Sequence, residues 1–236
     1  MKVKAKHISL ELRKRIVKIP RKEHHKILHH IHKKHFVSKE TLFYMKEYGP
    51  RSHLIHEIVK DSIPVLFLSV ILAPFAGLAL RSIFDKLSFL IPLVIMVPAL
   101  NGMIGELGSM IASKFTTGLF LGKIKGNPWK SNFVKMLLHV KIKVAIASVL
   151  YISLLALFLS AVKGFQFDLM FALKIIFIGL VSSITIVGIL FVISVIGGII
   201  IFKRGEDPNN FLIPMSTSIA DVVTLIVVSA LALLLF

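Results

Sequence analysis

The sequence predicts an all-α integral membrane protein with five transmembrane helices. Three observations carry that prediction. The 236 residues are 56% hydrophobic and 17% charged, with a mean hydropathy of +0.83, far too apolar for a water-soluble domain. Five apolar runs, at 62–80, 87–113, 143–162, 169–202 and 211–236, all reach the length of about 20 residues that a helix needs to cross the hydrocarbon core. The period-two alternation of a half-buried strand is absent from all of them.

Charge divides the chain in two. Residues 1–60 hold 16 Lys and Arg against 5 Asp and Glu, a net of +11, and nine of the ten histidines. They read as a basic, His-rich cytoplasmic arm, and residues 61–236 as the five-helix membrane domain. The first apolar run begins near residue 62, too late for a secretory signal peptide. Cysteine is absent, which excludes disulfides and thiolate metal sites. The connection 114–143 carries seven lysines, at 114, 123, 125, 130, 135, 141 and 143. With the arm inside, this connection also falls inside, as the positive-inside rule requires, and the C-terminus ends outside. The expected location is the cell membrane, with several passes.

Taken in order, residues 8–47 read as one or two short helices, punctuated by Pro20 and by Gly49-Pro50. A basic amphipathic segment beside a span suits contact with anionic lipid headgroups. His24, His25, His29, His30, His32 and His35 include i, i+4 and i, i+5 spacings. No carboxylate or cysteine stands in ligand register with them, so they read as a protonatable surface rather than a metal site. His56-Glu57 opens like a zinc-protease HExxH, but the fifth position is Lys60, so that motif is absent.

The second span carries Pro92 and Pro98, then Gly102, Gly105 and Gly108 at i, i+3, i+6. Small residues at this spacing are expected to line one face and let another helix approach closely. With Asn101, Glu106, Ser109 and Ser113 in the same span, a helix bordering a polar cavity is expected. The fourth span is long enough that it must tilt, break or project, with Gly179, Gly188 and Gly197-Gly198 as candidate bends. Its Ser182, Ser183 and Thr185 are expected to bond back to the helix backbone. The fifth span opens on Asp207-Pro208, a cap residue followed by proline at the first helical position. Pro214, Ser216, Thr217, Ser218 and Asp221 follow as a polar stretch.

Seven acids lie beyond residue 60, and five of them (Asp61, Asp85, Asp168, Glu206, Asp207) fall at the ends of apolar runs or between them. Glu106 and Asp221 lie inside such runs, and Asp221 is the sole charge in 211–236. A charge at membrane depth is costly and marks an ion path or a partner. Counted from the cytoplasmic ends of their spans, Asp221 and Glu106 lie at depths of roughly 16 and 12 Å, which would let them share a layer. Oxygen ligands at such a depth suit a hard divalent cation, Mg²⁺ above all.

The stretch Pro98-Ala-Leu-Asn-Gly-Met-Ile-Gly-Glu-Leu-Gly-Ser-Met-Ile-Ala-Ser-Lys-Phe-Thr-Thr117, then Gly118 and Gly122, resembles the glycine-rich first motif of MgtE-type magnesium transporters. It is closer still to their eukaryotic solute-carrier relatives. Asp207-Pro-Asn-Asn-Phe-Leu-Ile-Pro214 with Thr217-Ser-Ile-Ala-Asp221 is similar to the family's Asp-Pro…Pro…Thr-Ser-Leu-Gly-Asp pattern. The resemblance covers about residues 57–236. It implies a homodimer of five-helix units whose pore, on the two-fold axis, is lined by the second and fifth helices, with Asp221 as central Mg²⁺ ligand. Glu106 joins it as a second candidate ligand; Asn101, Gly102, Gly105, Gly108, Ser109, Pro214, Thr217 and Ser218 are candidate pore-lining residues. The chain departs from the pattern at Glu106, where the family commonly has Asn, and at Ala220, where it has Gly. The family's cytoplasmic sensor domains are missing, and residues 1–60 stand in their place.

The implied function is transport of a divalent cation, with membrane lipids and a second copy as partners and no enzymatic activity. A competing reading is a non-transporting scaffold or tether acting through the basic arm. The arm lacks interleaved aromatics or a reader motif, so no nucleic-acid partner is expected.

Overall fold

At membrane depth no water can satisfy a bare backbone, and a helix satisfies its own everywhere but at its ends. The apolar runs accordingly fold as helices. The computed structural model of the chain describes residues 54–83, 89–124, 126–204 and 207–236, together with Ile31. The short helices read over 8–47 and the histidine cluster lie outside the described residues, Ile31 apart. Five helices are long and apolar enough to cross a membrane: α1 (Leu54–Ser82), α2 (Ile91–Phe120), α3 (Asn132–Val162), α4 (Leu169–Arg204) and α5 (Pro208–Leu235). No strand occurs among the described residues. α1 begins at Leu54, within the segment assigned to the arm.

The lysine-rich connection is shorter than its charge pattern indicated. α2 runs on to Phe120 and α3 starts at Asn132, so Lys114, Lys135, Lys141 and Lys143 lie on helices. A lysine lays its apolar stem along the helix and sends the ammonium to water, so it need not end a span. With 31 residues, α3 extends about 46 Å, well beyond the ~30 Å hydrocarbon core, so it must tilt or project. Between α2 and α3 a short 3₁₀ turn, Pro128–Lys130, is held by Asn127 Oδ1, which accepts from the Trp129 N–H at 3.0 Å.

Two helix starts use one device. Asp207 Oδ1 accepts the Asn209 N–H at 2.9 Å, with Pro208 as the first residue of α5. Asp168 Oδ1 accepts the Phe171 N–H at 2.8 Å at the start of α4. These carboxylates complete helix ends, and Glu57 and Asp61 precede the apolar span Ser62–Ser82 of α1, which leaves Glu106 and Asp221 as the described acids inside apolar spans.

α5 packs against α1, α2 and α4, and α2 packs also against α3 and α4. One core cluster joins Met96, Leu100 and Ile104 of α2 to Ile186 and Leu190 of α4 and to Ala220 of α5. A second gathers Phe115 and Ile111 of α2 with Val134 of α3 and Val195 of α4. α4 runs unbroken for 36 residues; Gly179, Gly197 and Gly198 serve as contact points, and Gly188 has nothing within 4 Å of its Cβ position. A Cβ on Gly198 would stand 2.8 Å from the Phe115 ring, and one on Gly197 2.9 Å from Leu212 Cδ2. Ser182 and Ser183 do not bond back as expected: both hydroxyls are buried with no partner among the described residues. α1 is the peripheral helix. Its Ile63, Phe67, Val70, Phe75 and Leu78 are exposed, as befits side chains solvated by acyl chains.

Candidate functional site

Pro214 organises α5 below the site. It has no N–H to give to the carbonyl of Asn210 four residues back, which would leave that oxygen bare in the helix. Ser62 of α1 donates to Asn210 O at 3.2 Å and fills the gap. Thr217 Oγ1 and Ser218 Oγ both donate to Pro214 O, at 2.9 and 2.7 Å. Ser218 Oγ also meets Ser69 Oγ of α1, so this hydroxyl faces α1. Asp221, one turn further on, is exposed on the surface of the chain.

α2 approaches α5 through two glycines. A Cβ on Gly105 would lie 3.8 Å from Thr217 Cγ2 and 4.0 Å from Ala220 Cβ. A Cβ on Gly108 would lie 2.8 Å from Leu190 Cδ1 and 3.2 Å from Ser216 Cβ. Gly102 is different: it is exposed, with nothing within 4 Å of its Cβ position. The three glycines therefore do not share one face. Three residues fall about 60° short of a full helical turn, so positions 102 and 108 stand roughly 120° apart around the axis. Gly105 and Gly108 are in the α2–α5 crossing, and Gly102 is on the open side. Ser109 is half-buried, its Oγ donating to Gly105 O at 3.0 Å.

The side chain brought to Asp221 is Asn101. Its Nδ2 donates to Asp221 Oδ1 at 2.7 Å. Asn101 Oδ1 is buried with no partner among the described residues. Glu106 is exposed and has no hydrogen-bonding or ionic partner among the described residues. It follows Asn101 by five residues along α2, so it lies roughly 7–8 Å nearer the Lys114 end. The single shared layer expected for the two acids is thus two layers. Sequence reasoning paired Asp221 with Glu106 through depths counted from two separate helix ends, which carry the error of each boundary. A crossing-based count finds the pair. Gly105 meets Thr217, α2 and α5 run antiparallel, and four residues back from one and four on from the other are Asn101 and Asp221.

The donors here are carboxylate, carboxamide and hydroxyl oxygens. Such a set suits hard cations, not soft metals. Among the described residues of one chain there is no group of three or more His, Cys, Asp or Glu able to hold a metal. One chain therefore presents a carboxylate and a carboxamide here without a closed set of metal ligands. If Glu106 borders water, Glu106→Cys should react with a membrane-impermeant thiol reagent, and Mg²⁺ should slow the reaction. The chain has no cysteine of its own, so the background is clean. Labelling by lipid-soluble reagents alone would put position 106 against lipid.

The family model described as MgtE, divalent cation transporter, matches residues 97–231. That match covers more than half of the chain and includes Asn101, Glu106 and Asp221. No curated protein and no solved structure matches the chain.

Proposed function

The chain belongs to the MgtE family of divalent cation transporters, and on that premise we propose that two copies form a pore for Mg²⁺ lined by α2 and α5. The observation that carries this reading is the exposure of Asp221. It sits in an apolar helix, on the surface of a single chain, and Glu106 and Gly102 of α2 are exposed as well. A carboxylate facing acyl chains is strongly disfavoured. A second copy laid over this face would cover it, and a two-fold axis is the simplest closed way to do so. Four carboxylates, two from each chain, would then surround the axis. That concentration of negative charge within the membrane makes divalent cations the natural occupants.

In this proposal Asp221 is the central ligand, and Glu106 offers a second carboxylate nearer the cytoplasmic mouth. Asn101, Gly102, Ser109, Pro214 and Thr217 border the path, Ser218 turns its hydroxyl to α1 behind it, and Gly105 and Gly108 set how closely its two walls approach. The arm and the lysine-bearing ends of α2 and α3 face the cytoplasm, and the C-terminus lies outside. The net charge of +11 on residues 1–60 would then act on cations that approach from the cytoplasm. Family membership points to a transporter rather than an enzyme, and it does not favour the scaffold reading.

The test is flux. Purified chain reconstituted in liposomes with an enclosed Mg²⁺ indicator should admit Mg²⁺ down its gradient, and a run with an imposed Na⁺ gradient reports coupling. Gly102→Cys should cross-link to a second copy within the membrane. Absence of divalent flux from well-folded protein would overturn the transport reading, and absence of the cross-link would overturn the proposed face.

A further inference from the structure

Lys141 of α3 lays its ammonium against α2. Its Nζ stands 3.1 Å from Met110 Sδ, and the side chain is half-buried. A thioether is a weak acceptor for a group with three N–H donors. Glu106, Met110 and Lys114 follow one another at i, i+4, i+8, and all three are exposed, so they form one stripe along α2. Lys141 meets that stripe at its middle. One turn to one side stands a carboxylate without a hydrogen-bonding or ionic partner among the described residues, and one turn to the other a second ammonium.

Charge gives this arrangement a direction. Lys114 is close enough to repel Lys141, and Glu106 attracts it from the opposite side. A helical turn is about 5.4 Å, a distance that the flexible four-carbon stem of lysine can sweep. No other acid competes for the ammonium along this hairpin: Glu106 is the one Asp or Glu on α2 or α3, and residues 107–167 hold none. An unpaired charge of either sign is costly at membrane depth, and pairing lowers both costs at once. A divalent cation carries twice the charge of the ammonium and would take its place at the carboxylate. Met110 then offers the displaced ammonium a neutral place to stand.

We infer that Lys141 is a tethered counter-ion for Glu106, which a divalent cation must displace to occupy that carboxylate, so that Lys141 sets the Mg²⁺ concentration at which the cytoplasmic half of the path fills. This rests on the reading that Glu106 borders the path, and it is independent of the role of Asp221.

The experiment reads the half-saturating Mg²⁺ concentration for flux by the full chain in liposomes, for wild type, Lys141→Cys, Glu106→Gln and the double variant. Removing the ammonium frees the carboxylate, so Lys141→Cys should lower that concentration by about threefold to fivefold, the worth of a partly exposed ion pair. Aminoethyl methanethiosulfonate ties an ammonium back onto the cysteine and should restore the wild-type value. The methyl reagent adds no charge and should not. No other cysteine competes for either reagent. In Glu106→Gln the half-saturating concentration should rise, and adding Lys141→Cys should shift it no further. An equal shift from Lys141→Cys in both backgrounds would mean that Lys141 merely repels cations at large, and would overturn the inference while leaving Glu106 on the path. So would an unchanged value in Lys141→Cys beside a shifted one in Glu106→Gln. Should Lys141→Cys fail to fold, Lys141→Gln read in the same two backgrounds decides in the same way. Wild-type behaviour of Glu106→Gln would instead defeat the reading on which the inference rests.

Discussion

Asp221→Ala is expected to abolish divalent flux while leaving the chain folded. The carboxylate is exposed on the single chain, and its recorded side-chain partner is Asn101. Removing it leaves the Asn101 N–H unpaired, a loss of about 1–3 kcal/mol, which a membrane helix packed along its length tolerates. The effect on transport is larger. In the proposed pore a cation at this depth would leave bulk water, and the negative charge of Asp221 would offset that cost. Without it the barrier rises by several kcal/mol, and flux should fall roughly a hundredfold or more. Asp221→Asn separates charge from packing. Its side-chain oxygen still accepts from Asn101, so its melting temperature should match wild type, yet its flux should be lost. Liposome flux beside thermal denaturation makes the measurement. Wild-type flux in either variant removes Asp221 from the mechanism.

Gly108→Leu and Gly102→Leu should fail in opposite ways. At Gly108 even a Cβ would come within 2.8 Å of Leu190 and 3.2 Å of Ser216. Both neighbours are buried, and the rest of a leucine side chain would have to be fitted between them. Overpacking of this kind typically costs about 1–3 kcal/mol, so the melting temperature should drop. The α2–α5 crossing should open, and flux should fall with it as Asn101 leaves Asp221. Gly102 has open space around its Cβ position, so leucine there should leave the stability of one chain unchanged. It would, however, place a bulky side chain on the face that carries Glu106 and Asp221. Lost dimer cross-linking or lost flux, at unchanged stability of the single chain, is the expected result. Wild-type flux and association in Gly102→Leu would show that this face meets lipid.

Composition and run length determine the all-helical class and the five spans, because the absence of water at membrane depth leaves the backbone no other way to satisfy itself. The start of α5 at Asp207-Pro208 is equally legible, since a cap and a first-turn proline act within a few residues of each other. So is the isolation of Glu106 and Asp221, which needs only the apolar residues on either side. The family, too, can be read from the sequence, through the motifs in the second and fifth spans.

What the sequence could not place is anything that depends on two helices at once. It read the glycines of α4 as bends, whereas Gly197 and Gly198 are where Leu212 and Phe115 press against the helix. It grouped Gly102 with Gly105 and Gly108 by spacing, whereas helical drift turns Gly102 to the open side. It matched Asp221 with Glu106 by counting inward from the membrane surface, whereas the crossing point at Gly105 and Thr217 brings Asn101 to the carboxylate. Residue identity and local spacing determine what a helix is and how it ends. Register between helices is decided by which side chains fit at the point of closest approach, and that exists only once the helices are packed.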